Sequence, residues 1–143
     1  KAQIECLDYS AEMIERFREA LSKSDSSISH ISFMRGDVGA LPYEDESFDL
    51  VVSMNGIQCF PEKDRALQEM KRVLKKGGLL IGSAYVKGVY TFSDLLVKIY
   101  DAKGIMMPPH ESAVEFKLHL QNYFKLNKYQ LLGSAAHFSC LKE

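Results

Sequence analysis

Two aspartates, Asp8 and Asp37, each follow the end of a short apolar stretch, where their side chains could bind a nucleoside. A carboxylate offers two acceptor oxygens in one plane, so Asp8 could accept hydrogen bonds from both hydroxyls of a ribose. Asp37 could accept from the exocyclic amine of a purine, while the backbone N–H of Val38 donates to a ring nitrogen. Together these groups describe an adenosine pocket.

The same aspartates have a simpler interpretation. A single acid directly after a strand is often a helix cap or a turn residue, because its side chain binds nearby backbone N–H groups. Asp8 alone or Asp37 alone would fit that role. The pair, with each acid ending its own strand, is what favours a ligand site.

The elements that would position these acids alternate along the chain. Apolar patterns predict strands at 3–7, 31–34, 48–54 and 79–86, and helices at 10–21 and 61–76. This alternation is typical of an α/β domain with a mainly parallel sheet, and the run at 48–54 indicates a strand covered on both faces. Ligands of open α/β sheets bind beyond the carboxyl ends of the strands, which adds Met54, Asn55 and Gly56 to the candidates.

The second half of the chain follows a different pattern. We expect a helix at 92–102 with Leu95, Leu96 and Ile99 facing inward, an apolar loop at 104–110, a helix at 114–124 and a terminal hairpin at 128–141. Polar loops are expected at 22–27 and at the acidic run 44–46, which we interpret as a solvated turn.

The bulk composition is that of an ordinary soluble globular protein. The chain has 143 residues, 46% hydrophobic and 26% charged, with a net charge of -1, which fits one domain and gives no basic footprint for nucleic acid. No apolar run reaches the ~20 residues of a membrane span. Cys6, Cys59 and Cys140 are scattered, so we interpret them as reduced packing residues of a cytoplasmic protein, and the histidine spacing indicates no metal site.

Four segments, in this order, carry a resemblance to a known family: IECLDYSAEM at 4–13, GDVGALPY at 36–43, SFDLVVS at 47–53 and EMKRVLKKGG at 69–78. They resemble successive motifs of the class I S-adenosylmethionine-dependent methyltransferases. Within that class the likeness is to the small-molecule type of ubiquinone and menaquinone biosynthesis. It extends to about residue 86.

The resemblance implies a Rossmann-like sandwich whose sheet ends in an antiparallel hairpin, with S-adenosylmethionine as cofactor. It implies that Asp8 binds the cofactor ribose, that Tyr9 flanks the adenine and that Asp37 and Val38 hold the adenine edge. The strand-end residues near the sulfonium would be Met54, Asn55 and Gly56. The implied activity is methyl transfer by in-line displacement to a small-molecule acceptor, and the apolar residues of 87–110 favour a hydrophobic or aromatic one.

The chain departs from the family pattern at its start. In the family, a strand and a glycine-rich loop precede the acidic strand end, and nothing before Lys1 supplies them. That strand would lie between the strand ending at Asp8 and the strand starting at Phe48, so two inner sheet edges are expected to be unpaired. We therefore interpret residues 1–143 as a single, N-terminally incomplete domain.

Two other functions stay open from the residues alone. An acid after a strand also binds the ribose of NAD, so an NAD-dependent oxidoreductase is one alternative. A methyltransferase-like binding subunit without activity is the other. The residue types that could serve as a catalytic base are found at Tyr43, Tyr85, Tyr90 and His110, but each is more often a packing or surface residue, and none is assigned.

Overall fold

A computed structural model describes residues 2–23 and 30–143, and within these the chain forms six strands and four α-helices. The strands are Ile4–Asp8 (β1), Ile31–Arg35 (β2), Phe48–Met54 (β3), Leu74–Tyr85 (β4), Lys125–Leu132 (β5) and Ala135–Leu141 (β6). The helices are Ala11–Ser22 (α1), Lys63–Val73 (α2), Thr91–Ala102 (α3) and Ala113–Gln121 (α4). Most of the loop predicted at 22–27 lies outside the described residues.

The strands form two separate pieces of α/β structure. β1 pairs in parallel with β2, and the second piece has the order β3-β4-β6-β5, in which β3 and β4 are parallel and β6 is antiparallel to both neighbours. The predicted terminal hairpin is therefore confirmed. Within residues 2–23 and 30–143, β1 pairs only with β2 and β3 only with β4. The two inner edges expected from the sequence are thus present.

The core lies on one face of the second piece, where α2 and α4 pack. Leu67 and Met70 of α2, Leu80 of β4 and Phe116 of α4 are buried together, and the ring of Phe116 meets that of Phe138 edge to face at 5.6 Å. This packing fixes the carboxyl end of β4 relative to α2.

The prediction that β3 is covered on both faces is wrong. Leu50, Val52 and Met54 are 47%, 57% and 61% exposed. Successive side chains of a strand point to opposite faces of the sheet. The three exposed residues therefore lie on the face opposite α2 and α4.

The boundary between α2 and β4 also differs from the prediction. The helix begins at Lys63 rather than at Pro61 and ends at Val73, and Lys75 and Lys76 belong to β4. Leu74 already pairs with Phe48, and the register shifts before the pair Leu50–Leu79. Strand pairing therefore begins at Leu74, well before residue 79, where the strand was predicted to begin.

Helix α3 is turned opposite to the prediction. Leu95, Leu96 and Ile99 are exposed rather than inward, because the acids on the other face, Asp94 and Asp101, are hydrogen-bonded to the body of the domain. No helix in the described part of the chain is long and apolar enough to cross a membrane.

Candidate functional site

Asp8 and Asp37 lie at the same edge of the sheet. β1 and β2 run in parallel register until Asp8 meets Arg35, and the N–H of Gly36 donates to the carbonyl of Asp8 at 3.1 Å. Asp37 therefore follows directly beyond the shared strand end. The structure brings together the two acids that the sequence singled out.

Each acid uses one oxygen to cap local backbone. Asp8 Oδ1 accepts the Ser10 N–H at 2.7 Å, and Asp37 Oδ1 accepts the Gly39 N–H at 2.8 Å at the start of a 3-10 turn. Asp37 is thus the N-cap of the 3-10 turn, and Asp8 is a turn residue before Ser10, which caps α1. The second oxygen of each carboxylate accepts no hydrogen bond from the described residues, so it is available to a ligand.

An aromatic ring stands beside Asp8. Tyr9 is 75% exposed, and its carbonyl accepts a hydrogen bond from Arg35 Nε at 3.1 Å. The Arg35 guanidinium lies 5.9 Å from the centre of the Tyr9 ring. The strand end therefore combines free carboxylate oxygens with an exposed flat ring, a combination suited to a nucleoside.

The end of β3 is a tight and well-supported turn. Asn55 has a φ of 53°, in the left-handed region that asparagine tolerates better than most residues. Its N–H donates to the carbonyl of Ser83 at 2.9 Å, and its side-chain oxygen accepts from the Ser83 hydroxyl at 3.2 Å. Gln58 Nε2 donates to the Asn55 carbonyl at 2.8 Å. These hydrogen bonds hold the backbone at the end of β3 against β4.

The residue after Asn55 in that turn is Gly56, and the space beside its backbone is too small for most side chains. A Cβ there would lie 3.0 Å from the Phe60 ring and 3.1 Å from the Ser53 hydroxyl. Met54, by contrast, is 61% exposed at the strand end.

The candidate residues thus form two groups. Asp8, Tyr9, Asp37 and Val38 lie together, whereas residues 54–56 lie at the carboxyl end of β3, in the other piece of sheet. In the described ranges no hydrogen bond joins the first group to the second.

Arg72 and Glu69 of α2 form a hydrogen-bonded hub that holds the segment after Asp37. The sequence analysis did not identify this hub. Arg72 donates to both carboxylate oxygens of Glu69, at 2.7 and 2.8 Å, and to the carbonyls of Leu41 and Tyr43 at 3.0 and 2.8 Å. Glu69 in turn accepts the Leu41 N–H at 2.8 Å. The hydrogen bond from Arg72 holds the pKa of Glu69 below its usual range. The segment that follows Asp37 is therefore bonded to α2.

The acidic run 44–46 is an exposed turn, and two of its acids also form ion pairs. Asp45 accepts a hydrogen bond from Arg72 at 2.7 Å, and Glu46 lies 3.4 Å from Lys142 Nζ. The prediction of a solvated turn is thus confirmed, because all three acids are exposed. Basic residues from α2 and the C-terminal segment also meet this loop, through the ion pairs of Asp45 and Glu46.

The four base candidates occupy different surroundings. Tyr43 has a buried hydroxyl without a hydrogen-bond partner among the described residues, and burial raises its pKa. Burial, with the hydrogen bond to Asp94, raises the pKa of Tyr85. Tyr90 is 58% exposed, and His110 Nε2 lies 2.8 Å from Asp101 Oδ1. A raised pKa keeps the hydroxyls of Tyr43 and Tyr85 protonated near neutral pH, so both are poor general bases.

The cysteine and histidine side chains form no metal site in the described segments. No cluster of three or more His, Cys, Asp or Glu residues able to hold a metal ion occurs in the described segments. Cys6, Cys59 and Cys140 are free thiols, and burial raises the pKa of Cys140 to about 12. Cys140 therefore packs as an apolar residue.

Residues 1–82 match the family model of the methyltransferase domain. The chain belongs to the methyltransferase domain family. This methyltransferase domain is 28% identical over 114 residues to the ubiquinone/menaquinone biosynthesis C-methyltransferase of Shewanella woodyi, covering 80% of this chain and 44% of that protein. It is 36% identical over 103 residues to the protein of the same name from Pseudomonas aeruginosa, covering 71% of this chain and 38% of the relative. The chain thus spans less than half the length of these relatives.

Solved structures agree with the fold of the methyltransferase domain. A chain from the complex between the Haloferax volcanii Trm112 methyltransferase activator and a methyltransferase superposes with a TM-score of 0.79. The superposition covers 98% of this chain and 72% of that chain at 18% sequence identity. The Rossmann-like α/β arrangement of class I methyltransferases is therefore the fold of this domain.

Proposed function

We propose that the protein transfers a methyl group from S-adenosylmethionine to a small-molecule acceptor. The observation that carries the proposal is the pair of free carboxylate oxygens, on Asp8 and Asp37, at adjacent ends of β1 and β2 beside the exposed ring of Tyr9. Membership of the methyltransferase domain family supports it. When bound, S-adenosylmethionine supplies a methyl group on a sulfonium, which is a good leaving group.

The donor and acceptor groups of this chain suit the adenosine part of that cofactor. The free oxygen of Asp8 accepts from the ribose hydroxyls, and that of Asp37 accepts from the adenine amine. The Val38 N–H, the first of a 3-10 turn, donates to a ring nitrogen. Tyr9 offers its exposed face to the adenine.

The residues at the end of β3 have the second role in the proposal. Met54, Asn55 and Gly56 line the region of the sulfonium, and the bonds from Ser83 and Gln58 hold their backbone in place. Rigid positioning matters here because the acceptor must lie in line with the methyl carbon, with water excluded. No residue is assigned as a catalytic base.

We also propose that the acceptor is hydrophobic or aromatic and that the protein acts in the cytoplasm. The segment at 87–110 follows the carboxyl end of β4 and is rich in apolar residues, Met106 and Met107 among them. The free thiols at positions 6, 59 and 140 suit a reducing compartment. The relatives named above bear names from ubiquinone and menaquinone biosynthesis, which agrees with such an acceptor.

Calorimetric titration of the full-length protein with S-adenosylhomocysteine tests the cofactor site. In Asp8→Asn and Asp37→Asn the amide oxygen keeps the backbone cap while the charge is lost. We expect each to weaken binding roughly tenfold, the effect of one charge-assisted hydrogen bond. Glu5→Gln, which removes an exposed acid from the same strand, is the control and should bind normally.

Thermal shift measurements separate the alternative functions. S-adenosylhomocysteine should raise the melting temperature and NADH should not, because the chain belongs to the methyltransferase domain family and its sheet ends in the antiparallel hairpin expected of that fold. Stabilisation by NADH alone would favour an oxidoreductase and sink the methyltransferase proposal. Tight cofactor binding without methyl transfer to any quinol or phenol acceptor would favour a binding subunit.

A further inference from the structure

Helix α3 turns its acids toward the domain. Asp94 accepts hydrogen bonds from the Tyr85 hydroxyl at 2.5 Å and from the Gly88 N–H at 3.1 Å. Asp101 lies 2.8 Å from His110 Nε2, and Val97, on the same side, is buried. The polar side of this helix is therefore its inner side.

The outer face of α3 is apolar. Phe92, Leu95, Leu96 and Ile99 recur at the spacing of one helical face and are 71%, 57%, 37% and 48% exposed. Further exposed apolar residues adjoin them at both ends, namely Val89, Tyr90, Tyr100 and Ile105. Soluble proteins rarely leave so continuous an apolar patch without a binding role.

The charges beside the outer face are positive. Lys98 is exposed on α3 and Lys103 is exposed just after it, whereas Lys87, which precedes the helix, is paired with Glu115 at 3.9 Å. The acids of α3 itself, Asp94 and Asp101, are bonded on the inner side. This side of the helix thus presents apolar side chains flanked by lysines.

We propose that the outer face of α3 binds the surface of a membrane that contains anionic phospholipids. A helix with a continuous apolar face and neighbouring lysines lies in the plane of the interface, where apolar side chains enter the acyl boundary. Lysines near the surface add electrostatic attraction to anionic headgroups. The tyrosines at positions 90 and 100 suit the headgroup level, because their rings are apolar and their hydroxyls polar.

A second copy of the chain fits this face less well. A second copy would bring the same lysines, and α3 has no outward acid among its described residues to pair with them.

Vesicle co-sedimentation of the intact protein tests the proposal. We expect binding to vesicles of phosphatidylcholine with phosphatidylglycerol, and much weaker binding to phosphatidylcholine alone. Leu95→Ser should reduce the partition coefficient about tenfold, because a leucine no longer enters the acyl boundary. Leu118→Ser is a matched control, since Leu118 is 58% exposed on another helix, α4, and it should bind as the unmodified protein does.

Substitution of Lys98 and Lys103 by glutamine should remove most of the preference for the anionic vesicles. Circular dichroism verifies folding, and Phe92→Ser replaces Leu95→Ser if the latter unfolds. Absence of binding by the unmodified protein, or equal loss in Leu118→Ser, would overturn the proposal. A dimer that Leu95→Ser abolishes in light scattering would also overturn it, in favour of a contact between copies.

Discussion

Arg72 stabilises more of the domain than a residue on a helix surface usually does. Its guanidinium joins Glu69 on its own helix, the carbonyls of Leu41 and Tyr43, and the carboxylate of Asp45. Only 30% of the side chain is exposed. The planar fork of arginine suits such a set of acceptors, which the single ammonium of lysine could not satisfy.

We predict that Arg72→Met lowers the free energy of unfolding by about 2–3 kcal/mol, because a partly buried Glu69 loses its charged partner. Urea denaturation measures the change. Arg65→Met is the control on the same helix, since Arg65 is 58% exposed and pairs with Glu62 at 3.4 Å. That exposed pair should contribute less than about 0.5 kcal/mol. Equal losses in both variants would contradict the role of Arg72.

Asp8 and Arg72 differ in how well their positions could be predicted from the sequence. Asp8 and Asp37 were predictable because each follows an apolar strand, and parallel strands bring their carboxyl ends together. Arg72 has two backbone carbonyls among its acceptors. Every residue has a backbone carbonyl, so the sequence does not indicate which carbonyls accept hydrogen bonds from Arg72.

At the scale of elements, His119 joins α4 to the start of α2. Its Nδ1 lies 2.8 Å from Glu111 Oε1 and its Nε2 lies 3.1 Å from Asp64 Oδ1. The Tyr123 hydroxyl donates to the same oxygen of Asp64. With a carboxylate at each ring nitrogen, the doubly protonated imidazole donates to both, so the hydrogen bond with Glu111 chiefly raises the pKa of His119.

The sign of the pH dependence follows from these shifts. Because the folded pKa of His119 is raised, its stabilisation is complete below about pH 6.5 and is lost as the pH rises through the folded pKa. The pKa of Asp64 is lowered, chiefly by the Tyr123 hydroxyl. Its stabilisation is complete above about pH 4 and is lost as the pH falls through the folded pKa.

We predict that the free energy of unfolding falls by about 1 kcal/mol between about pH 6.5 and pH 8.5. His119→Gln should remove this fall, because a neutral amide cannot gain the second proton. His137→Gln, on β6 and outside this cluster, should retain it. Urea titrations at several pH values provide the comparison, and an unchanged slope in His119→Gln would count against the cluster.

The position of helix α3 along the chain was predicted correctly, but the face that it turns to the core was not. The apolar spacing of Phe92, Leu95 and Ile99 correctly indicated a helix, because spacing reveals which residues share a face. Spacing does not reveal whether that face meets the core. The orientation depends on Asp94 and Asp101, whose partners at Tyr85 and His110 come from other segments. The α2–β4 boundary was missed for a similar reason, since Phe48 pairs with Leu74 across the sheet.

At the scale of the molecule, the two sheet pieces differ in how firmly they are held. β4 has strands on both sides and buries Leu80 and Ala84 in the core. β1 and β2 pair with each other, and most of their side chains are partly or fully exposed. In the described residues the segment at 38–45 fastens this smaller piece to α2 through Arg72 and Glu69. Local openings should therefore be easiest in the smaller piece.

We predict that amide hydrogen exchange in β1 and β2 is at least about tenfold faster than in β4 and β6, because fewer apolar contacts must break to open them. Arg72→Met should accelerate exchange in β1 and β2 further, since it detaches the segment that follows β2. Arg65→Met should leave both pieces unchanged. If Arg72→Met accelerated all four strands equally, the domain would open as one cooperative unit. The positions of Asp8 and Asp37 would then depend on global stability rather than on the hydrogen bonds of Arg72.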